Sequence, residues 1–201
     1  MAFIDLIQQL ADESSPLVDR AGELRIALAA DPNDRAAFEE LISIIWALGQ
    51  SRPTVDPLTA DEDEPHTSPI KLILWALSED LASDSRAWYP LIQLARLSLD
   101  DDLEAAVHQI EVAAGREETG LALEQGISLL LDAGYPDTAM QIGMGRWNSQ
   151  EHIAGVGIAL TKAAIASGKL SDAQRFVSYL EERFAHDHDV MDLKEELAQL
   201  I

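Results

Sequence analysis

Glycines 134 and 168 stand 34 residues apart, and Ala105, Ala139 and Ala173 follow one another at the same interval. A fixed period of that length restricts a chain to stacks of one supersecondary unit, because each unit buries its apolar face only against the next. Ala, Leu, Ile, Glu and Gln dominate the stretches between these marks. Apolar residues there fall three and four apart, and the apolar-polar alternation of strands is nearly absent. The period therefore predicts pairs of helices. Each recurring alanine falls early in the second helix of a pair, where only a small side chain lets two helices approach closely.

Helix boundaries are marked along the chain. Ser15-Pro16 and Ser68-Pro69 each set a serine at the N-cap and a proline at the first helical position, where its missing N–H costs nothing. Ser171 with Gln174 fits a capping box, and Asp100-Asp101-Asp102 suits a helix start, where acids favour the helix dipole. Gly49, Gly115, Gly134 and Gly168 read as left-handed helix ends. Together these signals predict about eleven helices, near 3–12, 16–30, 35–49, 69–82, 86–98, 102–115, 119–133, 136–147, 150–167, 171–185 and 190–201. Short linkers set neighbouring helices antiparallel. The connection 51–69 differs: it holds four of the eight prolines and the run Asp61-Glu62-Asp63-Glu64, and reads as an exposed acidic insertion.

A period of 34 with two helices per unit resembles the tetratricopeptide repeat. Ala87-Trp88-Tyr89 followed by Leu91 is similar to the start of that family's first helix, and Ala106, Ile110 and Ala113 to the packing face of its second. Ala166-Ser167-Gly168-Lys169-Leu170-Ser171-Asp172-Ala173 resembles the turn between the two helices, and Ala29-Ala30-Asp31-Pro32-Asn33-Asp34 the junction between repeats. Ala37, Phe38, Leu41, Ile42 and Ile44 recur as Ala87, Trp88, Leu91, Ile92 and Leu94 at a spacing of 50, so 16 residues are inserted, which matches the segment 51–69. Three places depart from the pattern. Pro90 requires its helix to begin near residues 86–88, Gly143 and Gly145 stand where a larger apolar residue is usual, and residues 3–30 match least well.

The resemblance implies an all-α superhelix, a single domain over 1–201 made of about five helical hairpins and a capping helix, Val190–Ile201. It also implies a concave groove, lined by first helices, that binds a peptide or helix of a partner. On this chain the groove positions are Tyr89, Gln93, Arg96, Glu124, Ser128 and Lys162. The asparagine and lysine cluster with which some members clamp a peptide C-terminus is not reproduced.

Charge narrows the partner. Thirty-six acidic residues against 14 basic ones give −22, which repels phosphate backbones and anionic lipid, so nucleic acid and membrane surfaces are excluded in favour of a basic or amphipathic protein segment. The absence of cysteine removes disulfides, thiol catalysis and thiolate metal sites. No basic leader and no apolar run of membrane-spanning length is present, so the expected location is the cytoplasm.

Neither catalysis nor a cofactor is expected. His186-Asp187-His188-Asp189 lies between helices without a partnering histidine motif, and the acids 61–64 lack the spacing of a calcium loop. Gly143-Met144-Gly145 and Gly155-Val156-Gly157 follow no strand and read as helix-packing glycines. Trp46, Trp75, Trp88 and Trp147 fall at core-like spacing, with surface anchoring as the alternative for Trp46 and Trp147. The expected function is a protein-interaction module or scaffold. An acidic chaperone for an assembly-prone or secreted protein, and a structural subunit that dimerises through 190–201, are the alternatives.

Overall fold

The computed structural model describes residues 16–50 and 69–200. The expected helix 3–12, the serine caps at 15 and 68, and the insertion up to residue 68 with its acids lie outside the described residues. Among the described residues the chain is all-α, with ten helices and no strand. They are α1 Pro16–Ala30, α2 Arg35–Gln50, α3 Pro69–Ala82, α4 Tyr89–Ser98, α5 Leu103–Arg116, α6 Leu121–Asp132, α7 Pro136–Arg146, α8 Ala154–Ala166, α9 Leu170–Phe184 and α10 His188–Gln199. None is long and apolar enough to cross a membrane. The chain divides between Leu97 and Ser98 into two compact units.

In the first unit α1 packs on α2, and α2 on α3. Leu28, Phe38, Leu41, Ile45, Leu77 and Ile92 are completely buried, and burial of that apolar surface is the main force holding these helices together. Asp34 caps α2 by accepting the Ala37 N–H at 3.0 Å. Asn33, just before it, reaches across to the start of α4. Its Oδ1 accepts the N–H groups of Trp88 and Tyr89 at 2.8 and 3.1 Å, while its Nδ2 donates to the Arg86 carbonyl at 2.9 Å. On the surface Arg20 grips Glu40 through two bonds of 2.7 and 2.9 Å, which hold that carboxyl below its usual range, and Arg25 pairs with Asp80.

The start of α4 departs from expectation. Residues 83–88 form turns, with Asp84 N–H on Leu81 O and Ala87 N–H on Asp84 O, so the helix begins at Tyr89 instead of residue 86. Pro90 is thereby its second residue, inside the first turn where no backbone donor is lost.

In the second unit α6 packs against α5, α7 and α8, α7 against α8, α8 against α9 and α10, and α9 against α10. Each of α6 and α8 thus meets the helix that follows it and the one after that. This arrangement is a run of consecutive helical hairpins, in which α6, α8 and α10 lie side by side.

The 34-residue mark at the glycines reflects repeated hydrogen bonding. After α6 the N–H groups of Gly134 and Tyr135 bond the carbonyls of Leu131 and Leu130, and after α8 those of Gly168 and Lys169 bond Ile165 and Ala164 in the same order. Both glycines are left-handed, at φ +83° and +71°, where a Cβ would be strained. Gly49 and Gly115, by contrast, are the next-to-last residues of α2 and α5 and are not left-handed. At Gly49 the Ile70 side chain packs close to the backbone, and a Cβ there would come within 2.6 Å of two of its carbons, so Ile70 would have to shift.

The alanine repeat is shifted by one residue in its first copy. Ala139 and Ala173 are the fourth residues of α7 and α9 and are wholly buried, and the residue in the same position of α5 is Ala106, whereas Ala105 is half-buried. Helices α5 and α7 start 33 residues apart, and α7 and α9 start 34 apart. The expected capping box at Ser171 does not form. The turn after Gly168 puts Lys169 at the N-cap and Leu170 at the first helical position, so Ser171 already lies within α9.

Gly143 does not leave α7 thinly packed. A Cβ there would come 2.7 Å from Leu160 Cδ1 and 2.9 Å from Ile127 Cδ1, so its absence draws α7 down onto α6 and α8. Gly157 likewise admits Leu180 and the Trp147 ring, and Gly145 faces open space.

Candidate partner-binding face

Two junctions set α6 beside α8. The Ile153 N–H, immediately before α8, donates to the Thr119 carbonyl at 2.9 Å. Gly120, left-handed at φ +90°, allows Val156 and His152 to close over the start of α6. Arg183 in the last turn of α9 then holds the loop before α8 by donating to the His152 carbonyl at 2.9 Å.

Glu117 completes the start of α6. It accepts the Thr119 hydroxyl at 2.5 Å, the Thr119 N–H at 2.8 Å and the Ala122 N–H at 3.2 Å. Burial opposes its ionisation, but these bonds and one from Leu121 outweigh burial and hold the carboxyl below the usual glutamate range. A depressed carboxyl stabilises the fold above its unfolded-state pKa, and that contribution disappears as pH falls through the folded-state value. Glu117→Gln is expected to cost about 1 kcal/mol at neutral pH. The gap between variant and wild type should narrow as thermal melts are taken to acid pH; a constant gap would show that the charge contributes nothing.

Three of the six residues expected to line the groove lie on the neighbouring helices α6 and α8. Glu124 and Ser128 stand half-exposed one turn apart on α6, and Lys162 is exposed on the neighbouring α8. The Glu124 carboxylate lies over Gly155, where a Cβ would sit 3.0 Å from Glu124 Cδ, so the glycine leaves room for the acid between the helices. Gln93, half-exposed, and Arg96, exposed, occupy α4 in the first unit.

Tyr89 needs correction as a groove residue. It is 4% exposed, and its ring packs edge-on against Phe38 and Trp88 at centroid distances of 5.4 and 5.7 Å. Its hydroxyl reaches the Glu39 carboxylate at 3.3 Å, and the exposed Arg35 guanidinium lies 5.5 Å from the centre of its ring. Burial, and secondarily the Glu39 charge, raise its pKa, so the ring is a neutral core element. The tryptophans divide similarly: Trp88 is buried, Trp75 and Trp147 are half-buried, and Trp46 is 47% exposed on α2. Trp147 fits edge-on against Phe176 and Tyr179.

The spacing of α10 was not read at the sequence level. Asp189, Asp192 and Glu196 recur at intervals of three and four, which is one helical face, and that face meets Ile158 and Lys162 of α8. With Leu193 these residues line an open cleft of about 310 Å³. The His-Asp run, by contrast, serves the helix start. Asp187 accepts the Asp189 N–H at 3.0 Å, and His188 Nδ1 lies 3.3 Å from Asp192. Among the described residues no three His, Asp or Glu side chains converge in a way that could hold a metal ion.

No family model matches this sequence, and it shows no significant similarity to a curated protein or a solved structure.

Proposed function

We propose that this chain is a protein-interaction module of the tetratricopeptide-like kind, whose second unit takes a basic or amphipathic segment of a partner on the face shared by α6, α8 and α10. One observation carries the reading: the side-by-side packing of these alternate helices combines half-exposed small and apolar positions, Ser128, Gly155 and Ile158, with carboxylates on both sides. Glu124 stands on α6, and Asp189, Asp192 and Glu196 on α10. Such a face offers a guest segment an apolar strip with acidic flanks, and the excess of 22 negative charges steers cationic partners toward it. Neither the chaperone nor the dimer reading has an observation of its own. Exposed α10 residues are mostly charged, which opposes stacking against an identical copy.

Site-specific photocrosslinking tests the assignment. A crosslinking residue at Ser128 or Ile158, facing the shared side, is expected to give discrete partner adducts in cells. One at Gln141 on α7 or Gln174 on α9, both exposed on the intervening helices, is expected to give few. Equal yields from the two sets would remove the assignment.

A further inference from the structure

We draw no further inference here: the strongest candidate, the groove between α9 and α10 lined by Ala185, Val190, Met191 and Ala198, is an unpartnered apolar face, and nothing in the structure shows what covers it.

Discussion

Phe38→Ala is expected to lower the stability of the first unit by about 4 kcal/mol, the range for emptying the site of a fully buried aromatic ring. Two losses combine. The ring's transfer energy is forfeited, and the cavity left behind cannot close easily, because its wall is the edge-on Tyr89 ring at 5.4 Å and the turn held by Asn33. Such a loss rivals the whole stability of a small domain. Amide exchange in α2 and α4 should accelerate by about a thousandfold, and the urea midpoint should move down by about 2 M. Phe38→Leu, which keeps most of the volume, should cost about a third as much. Unchanged protection in both helices would show that the ring is not a core element.

Asn33→Ala is expected to cost about 3 kcal/mol although the side chain is only half-buried. The residue satisfies two N–H donors at the first turn of α4, where no backbone partner exists, and also ties down the Arg86 carbonyl. Its removal leaves the start of α4 uncapped and releases Trp88 and Tyr89 from their register against Phe38. Asn33→Asp separates the two roles. A carboxylate still accepts both N–H groups and benefits from the helix dipole, but loses the bond to Arg86, so it should recover more than half of the stability. Urea unfolding of the three proteins measures this directly, and an aspartate variant as unstable as the alanine one would locate the effect in the Arg86 contact.

Most of the helix order was legible because the punctuation is local. Pro16 and Pro69 open α1 and α3, and Gly134 and Gly168 end the turns after α6 and α8 with the same bonds. What failed was punctuation whose outcome depends on distant neighbours. Gly49 was read as an end but is a contact point for Ile70, and Ser171 was displaced from its cap by the turn that Gly168 creates. The alanine register slipped for a similar reason. Adjacent Ala105 and Ala106 are indistinguishable by type, and only packing shows that Ala106 is the buried one.

The face proposed above for a partner was half legible. Helical period and hairpin order put Glu124 and Ser128 on α6 and Lys162 on the helix packed beside it. Tyr89 was misplaced: it opens its helix, and the 34-residue spacing aligns it with the buried Leu123, while its ring packs on Phe38 in the core. The acidic face of α10 carried a readable signal in its intervals of three and four, which was masked by treating the helix only as a cap.

The packing list of the second unit also bears on how that unit forms. Every helix there meets partners one or two places away along the chain, so each contact closes a loop of at most a few tens of residues. Search entropy is correspondingly small, and a structure of this kind acquires its order quickly from whichever hairpin forms first and extends it to its neighbours. During synthesis, α6 and α7 can pair before α9 has been made, and each later helix adds to a surface already in place.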